Sequence, residues 1–242
     1  MKKELSIKRL SDDNYLFEII TMHKEIFIET EFYGRLIYFD DDFKNYFRTI
    51  LSDKDHYVFG IFSDNDIHGF IHLKAFSNTL FLNNIFLDES IRGNGNGTNV
   101  LKEVLNSAFI VNEDFVNIEL DVLESNFKAK NWYRKIGLTP SIISHWYFLK
   151  KSTPLDIVNL YLDYDLNGFK GVFLDNTKLG TIINDSSIIV HDLKVLDYKC
   201  NLLFIAKITG VPKVSNIEFL QFDSSIRMNS KITNVLKTMK DV

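Results

Sequence analysis

A single cysteine, Cys200, stands in a chain of 242 residues, which excludes a disulfide framework within the chain. No motif surrounds it, and a small core residue is its plain role. No apolar run approaches membrane-spanning length, and no secretory apolar segment follows Met1-Lys2-Lys3-Glu4. Basic residues are not in excess: Lys and Arg number 28 against 32 Asp and Glu, a formal net charge of −4. Sequence-independent nucleic-acid binding wants a basic face, so neither nucleic acid nor membrane is an expected partner. A soluble cytoplasmic protein is the expectation. What the chain has in quantity is apolar: 45% hydrophobic residues, with 21 Phe, enough for one large core or two modest ones.

Glycine is concentrated at one place, Arg92-Gly93-Asn94-Gly95-Asn96-Gly97-Thr98. The run follows the apolar segment Leu80-Phe81-Leu82-Asn83-Asn84-Ile85-Phe86-Leu87. It precedes a helical pattern with Val100, Leu101, Val104, Leu105, Ala108 and Phe109. Strand, glycine loop and helix start together aim unpaired backbone N–H groups at one point, where the helix dipole adds partial positive charge. Glycine lets the backbone take up positive φ and approach a ligand closely, so the stretch predicts an anion site, a phosphate above all. A dinucleotide fold would need G-x-G-x-x-G and an acidic residue roughly 20 residues on; the spacing here is G-x-G-x-G without flanking βαβ alternation. A P-loop would need a Lys after the glycines, and none follows.

Arg92, Gly95 and Gly97 instead meet the R/Q-x-x-G-x-G/A signature of the GNAT family of N-acetyltransferases. Further on, Asn126-Phe127-Lys128-Ala129-Lys130-Asn131-Trp132-Tyr133-Arg134-Lys135-Ile136-Gly137-Leu138 resembles that family's second signature, N-x-x-A-x-x-x-Y-x-k-x-G-F. Asn126, Ala129, Tyr133 and Gly137 fall in register, and Leu138 replaces Phe. Ala129, Trp132, Tyr133 and Ile136 share one helical face, and Gly137 suits a C-cap. Residues 1–151 are thus identified as resembling a GNAT domain. The fold this implies is α/β of the α+β kind: a mixed, mostly antiparallel sheet flanked by helices.

Residue patterns outline the rest. A first strand is expected from Leu5 to Leu10, then a helix carrying Leu16, Ile19, Ile20 and His23 with Asp12 or Asp13 as N-cap. A hairpin pairs Tyr57–Phe62 with Ile67–Lys74 through Ser63-Asp64-Asn65-Asp66. A strand is expected over Val116–Val122, and Trp146–Lys151 resembles the family's closing strand. Residues 155–242 are expected to form a smaller, incomplete GNAT-like unit, because two stretches repeat. Asp88–Lys102 and Asp223–Lys237 agree at ten of fifteen positions without a gap, but Met228, Ser230 and Ile232 replace the three glycines. More weakly, Gly60-x-Phe62-x-Asp64-Asn65 with Gly69-x-Ile71 matches Gly171-x-Phe173-x-Asp175-Asn176 with Gly180-x-Ile182. Without its glycines the second unit should not hold a diphosphate. Extending the sheet, covering an edge, walling the acceptor site or forming a homodimer are its expected roles.

The resemblance implies acetyl-CoA as cosubstrate, with no metal, and a small-molecule or peptide amine as acceptor. It places the backbone N–H groups of Arg92, Gly93, Asn94, Gly95, Asn96 and Gly97, with the Thr98 hydroxyl, around the diphosphate. Ile85, Phe86 and Leu87 would lie along the pantetheine arm, beside a splay from the strand Val116–Val122. Asn126 would hydrogen-bond that arm, and Tyr133 would protonate the leaving thiolate. For Asn126 a helix N-cap, and for Tyr133 a core aromatic, are the structural alternatives. The reaction implied is direct acyl transfer, acetyl or a longer acyl group. A non-catalytic acyl-CoA-binding or interaction module is the alternative, because some family members carry a Glu on the strand before the glycine loop, near Phe81 here, and because the second loop has lost its glycines. Glu119 and Asp121 share a polar strand face as substitute bases, with a solvated face as their plainer reading. Asn83 and Asn84 suit an acceptor, a water or a bulge. His68 and His72 share a strand face but make no metal site by spacing alone. Asp40-Asp41-Asp42 could attract a cationic acceptor or simply be a wet helix end.

Overall fold

The computed structural model describes residues 4–151, 159–212 and 214–240. In chain order, β1 (Ser6–Leu10) precedes α1 (Leu16–Glu25), and a 3-10 turn (Ile37–Phe39) precedes α2 (Phe43–Ser52). A meander follows, β2 (His56–Ser63), β3 (Asp66–Phe76) and β4 (Thr79–Leu87). Then come α3 (Asn96–Leu105), α4 (Ala108–Val111), β5 (Asn117–Leu123), α5 (Phe127–Lys135) and β6 (Thr139–Lys151). The remainder is mostly strand: β7 (Tyr161–Tyr164), β8 (Lys170–Leu174), β9 (Thr177–Ile183), β10 (Ser187–Val190), a 3-10 turn (Leu193–Asp197), β11 (Leu203–Thr209), β12 (Ile217–Lys231) and α6 (Ile232–Thr238). The fold is mixed α/β with a mostly antiparallel sheet, as expected from the order of elements.

Local chemistry explains most of these boundaries. Asp64 and Asn65, both at positive φ (53° and 73°), turn β2 into β3, the two-residue turn whose twist matches a hairpin. Gly137, at φ 92°, ends α5. The N-cap of α1 is Tyr15 rather than Asp12 or Asp13. Asp12 instead accepts from the Asn14 N–H, and the Asp13 carbonyl accepts from Leu16 N–H, so both acids shape the turn before the helix.

The chain divides into two compact units, and not at the expected place. The first takes 1–26, 47–142 and 226–242; the second takes 27–46 and 143–225. The expected boundaries were 1–151 and 155–242, and position 155 itself lies outside the described residues. In the first unit the strand order is β1-β2-β3-β4-β5-β12-β6, with the last residues of β12 and the first of β6. Its core joins Leu73, Leu80, Leu101, Ile118 and Leu120 to Ile226, Met228, Ile232, Val235 and Met239 from the C-terminal segment. Leu236 packs against the same core.

The second unit contains the meander β7–β10, and β11 then pairs parallel to β10. The β8–β9 hairpin has the same turn as β2–β3, with Asp175 and Asn176 at φ 46° and 65°. Both hairpins also shift register just before the equivalent phenylalanine, at Ile61/Phe62 and Val172/Phe173. The weaker sequence match therefore joins two alike hairpins. The stronger match joins alike structures only in its helical second part. Asp223–Lys231 is extended within β12, with no residue at positive φ, and runs straight into α6. Where Asp88–Gly95 makes a loop, the glycine-free stretch stays a strand, because Met228 and Ser230, unlike Gly93 and Gly95, cannot freely take positive φ.

Met228 is fully buried and fills the first unit's core. We expect Met228→Ala to cost about 2–5 kcal/mol, the usual range for emptying such a site, measured by urea denaturation. Removal of 226–242 should abolish cooperative unfolding of the first unit; a truncated chain with an unchanged transition would contradict this assignment of the core.

Candidate functional site

Parallel pairing of β4 with β5 runs from Thr79↔Asn117 to Leu82↔Leu120 and goes no further. On its other side β4 stays paired with β3 as far as Gly69↔Leu87. Asn83–Leu87 therefore present one paired edge and one open edge, so the expected splay is present. The β3–β4 register shifts between His72 and Leu73 and leaves Asn83 as the extra residue. A bulge of this kind bends and twists its strand. Gly69 permits the close approach at the far end: a Cβ there would collide with the Phe86 carbonyl.

The glycine loop closes beyond that open edge. Gly93, Asn94 and Gly95 all take positive φ (84°, 51° and 75°), and Gly95 is the N-cap of α3. Two of the expected cradle groups are spent inside the loop. Arg92 N–H donates to the Asp88 carbonyl at 3.1 Å, and Asn96 N–H to the Gly93 carbonyl at 2.9 Å. The Asn96 side chain donates to the Ile91 carbonyl at 2.9 Å and is buried, so it braces the loop. The Arg92 guanidinium donates to the Leu87 carbonyl and lies over the Phe86 ring, clipping the loop to the end of β4. Among the described residues, the N–H groups of Gly93, Asn94, Gly95, Gly97 and Thr98 have no partner in the chain.

Helix α5 joins this arrangement through its signature residues. The Trp132 Nε1–H donates to the Thr98 hydroxyl at 3.0 Å, so Thr98 is also a structural tie. Asn126 caps α5, its Oδ1 accepting from Ala129 N–H at 3.0 Å; among the described residues its Nδ2 makes no hydrogen bond. Tyr133 is buried, and burial raises its pKa well above the usual value for tyrosine. Its hydroxyl makes no hydrogen bond among the described residues.

The carboxylates proposed as substitute bases are otherwise engaged. Arg227 of β12 donates to Asp121 at 2.5 and 3.1 Å and to Glu119 at 3.3 Å, while its guanidinium covers the Phe81 ring. The acidic run is likewise tied down. Asp40 accepts from the Asn184 N–H, and the Asn184 side chain accepts from Asp41 N–H and donates to the Phe39 carbonyl. It is a latch within the second unit rather than a wet helix end. His68 pairs with Asp88 at 2.6 Å.

Sequence reasoning missed a cluster of buried imidazoles on the first unit's α1-covered face. His56 Nδ1 and His72 Nε2 are 2.8 Å apart, and the Asn83 amide lies 3.4 Å from the same nitrogen. His23 of α1 lies edge-on to His72, its Nδ1 2.8 Å from the Ile19 carbonyl. Burial pushes His23 down to about 3, lowers His72 well below the usual value, and lowers His56. Neither the strand spacing of His68 and His72 nor the helical position of His23 announces this meeting of three elements. Among the described residues no group of three His, Cys, Asp or Glu is arranged to hold a metal, and no helix is long and apolar enough to cross a membrane.

Residues 20–138 match the Acetyltransferase (GNAT) family, and this stretch is a GNAT acetyltransferase domain. No curated protein matches the chain. Among solved structures, a tandem GNAT protein from the clavulanic acid biosynthesis pathway aligns with a TM-score of 0.64 at 10% identity, covering 94% of this chain and 98% of that one. The PaiA N-acetyltransferase of Thermoplasma acidophilum in complex with coenzyme A gives 0.50 at 19% identity, covering 57% and 91%. A chimeric spermidine N-acetyltransferase from Vibrio cholerae gives 0.52 at 13%, covering 96% and 98%. At these identities the likeness is one of fold.

A histidine buried neutral makes stability depend on pH. The folded pKa of His23, about 3, lies below the ordinary 6.5, so between those values the unfolded chain binds more protons. Stability should be flat above pH 6.5 and fall as pH drops toward 3, by up to about 1.4 kcal/mol per pH unit for this group. Urea midpoints across that range, compared with His23→Phe, check it; an identical pH slope in the variant would contradict it.

Proposed function

We propose that the first unit transfers an acyl group, acetyl in the first instance, from acetyl-CoA to a primary amine. The observation that carries this is the coincidence of an open β4 edge with a cradle of unpaired N–H groups at its end. An extended ligand can pair with such an edge, and a diphosphate suits a helix N-terminus with approachable backbone. When bound, acetyl-CoA supplies the activated acyl group as a thioester. Gly93, Asn94, Gly95, Gly97 and Thr98 donate backbone N–H groups to its diphosphate. Ile85, Phe86 and Leu87 align the arm along β4, with the Asn126 Nδ2 as a further donor. Backbone N–H groups of the same segment are placed to meet negative charge on the acyl oxygen, the largest single contribution in chemistry of this kind.

Tyr133 is the proton donor to the leaving sulfur. Its raised pKa keeps the proton on oxygen at neutral pH, and its hydroxyl is not committed elsewhere among the described residues. Acceptors of the small-amine class accord with the spermidine acetyltransferases of the same fold. The second unit plays a structural part. Its β10 pairs with β11 from Ser187↔Leu203 to Ile189↔Ile205 and ends at Val190, so it offers no comparable open edge. A 3-10 turn stands where the glycine loop and α3 stand in the first unit.

Calorimetric titration with coenzyme A and thiol release from acetyl-CoA across a panel of primary amines test the reading. Gly95→Val should lose measurable CoA affinity. A β-branched residue is strained at φ 75°, although a Cβ there meets nothing within 4 Å and the fold should persist by circular dichroism. Tyr133→Phe should lower kcat by about 10²–10⁴-fold, as loss of an acid does, with little change in KM for acetyl-CoA. Binding of CoA without amine-dependent thiol release would favour the non-catalytic module instead.

A further inference from the structure

Asp88 stands at the root of the glycine loop, directly after β4. Its N–H donates to the His68 carbonyl at 2.8 Å, which fastens the end of β4 to β3. Its carbonyl accepts from Ile91 N–H at 3.2 Å and from Arg92 N–H at 3.1 Å. Its carboxylate accepts at Oδ1 from the Ser90 N–H at 2.9 Å and the Ser90 hydroxyl at 2.6 Å, and at Oδ2 from His68 Nδ1 at 2.6 Å. An ionised carboxylate only accepts, so His68 Nδ1 carries a hydrogen. Burial raises the Asp88 pKa, but the bonds from the Ser90 hydroxyl, His68 and the Ser90 N–H outweigh it and hold the carboxyl below its usual value. Asp88 is therefore ionised at neutral pH. Every polar atom of the residue is spent on β3 or on the turn that follows, out of which Gly93, Asn94 and Gly95 pass at positive φ.

The sign of this charge is wrong for an anion site. Like charges repel, so a carboxylate at the root of the loop opposes a diphosphate held by the loop. Attraction cannot be its contribution, whereas its hydrogen bonds can. We infer that Asp88 is a positioning residue for the cofactor's diphosphate: its carboxylate, gripped by His68 and Ser90, sets the turn from which the unpaired N–H groups of Gly93, Asn94 and Gly95 are presented. This role rests on the reading of the loop as a diphosphate cradle given above. Two effects oppose each other at one side chain, and they predict opposite results when its charge is removed. Asn keeps the shape of Asp but brings an amide NH₂ in place of one acceptor oxygen, so it cannot accept from Ser90 at one end and His68 at the other. Loss of repulsion alone would raise affinity for CoA; loss of the turn lowers it. Hydrogen bonds to a charged group are stronger than a repulsion screened by water and salt, so the lowering wins.

Calorimetric titration of the full-length protein with CoA is the test. Asp88→Asn should weaken binding about 10- to 100-fold, the effect of losing a hydrogen bond to a charged group, although the change removes a negative charge. Ser90→Ala and His68→Gln leave the carboxylate in place and should each weaken binding less, and Ser90→Ala should add little to Asp88→Asn. With whichever primary amine gives the fastest thiol release, the loss should appear in KM for acetyl-CoA rather than in kcat. S-acetylpantetheine, a thioester without the diphosphate, should keep its kcat/KM; an equal loss with both thioesters would mark a role in folding alone and overturn the assignment. If the wild type binds no CoA, the cradle itself fails and the role of Asp88 with it. If the wild type binds CoA and Asp88→Asn binds it as tightly or more tightly, the role of Asp88 alone is overturned and the cradle stands. Should Asp88→Asn not fold, unchanged CoA affinity in both Ser90→Ala and His68→Gln overturns it instead.

Discussion

Beyond Leu82↔Leu120, β4 and β5 continue side by side in sequence order but no longer pair. Each is fastened to a different neighbour. β4 is held by β3 to its last residue, across Gly69, whose missing Cβ admits the Phe86 carbonyl. β5 is held on its other side by β12, where Arg227 grips Asp121 and Glu119. The Asn83 bulge adds local twist to β4 at the point of parting. Backbone groups left unpaired in this way are costly to bury without a partner. They persist because the core beneath them, from Leu80 and Leu120 to Met228, is complete without pairing at that end.

Everything assigned to the site follows from that parting. The glycine loop sits where β4 ends, and its own hydrogen bonds hold it in shape before any ligand arrives. Arg92 illustrates the division of labour. Its charge looks made for a phosphate, yet the guanidinium is turned back onto the Leu87 carbonyl and the Phe86 ring. In the proposed site, attraction for an anion would thereby fall to main-chain N–H groups and the α3 dipole. Thr98 and Trp132 then tie the loop helix to α5, so that Tyr133 is positioned by the same framework that shapes the cradle.

Features set by neighbours in the chain were legible in the sequence. The β2–β3 turn, the loop with its helix start and the amphipathic α5 stand where residue type and spacing placed them, and the splay where the family resemblance implied it. Features set by distant partners were not. Nothing around Glu119 and Asp121 announces Arg227, more than a hundred positions away, so two acids that look available are already neutralised. His23, His56 and His72 come from a helix and two strands, each in an unremarkable local pattern. Asp40 looked like part of a solvated charge run because its partner, Asn184, lies in a turn of the other half of the sequence.

The repeated segment shows the limit most sharply. Thr98-Asn99-Val100-Leu101-Lys102 and Thr233-Asn234-Val235-Leu236-Lys237 are identical, and both are helical. Val100 and Val235 are both buried in the first unit's core. Just before them, Arg92-Gly93-Asn94-Gly95 and Arg227-Met228-Asn229-Ser230 differ at the glycines alone, and there the structures diverge completely. With glycine the chain reverses through positive φ and leaves N–H groups free; without it the chain stays extended, pairs, and buries Met228. Ten shared positions therefore preserve a helix and a hydrophobic contact but not the glycine loop's conformation. The conformation of the loop depends on the few positions where a side chain is forbidden, so likeness counted over the whole segment overstates likeness of function.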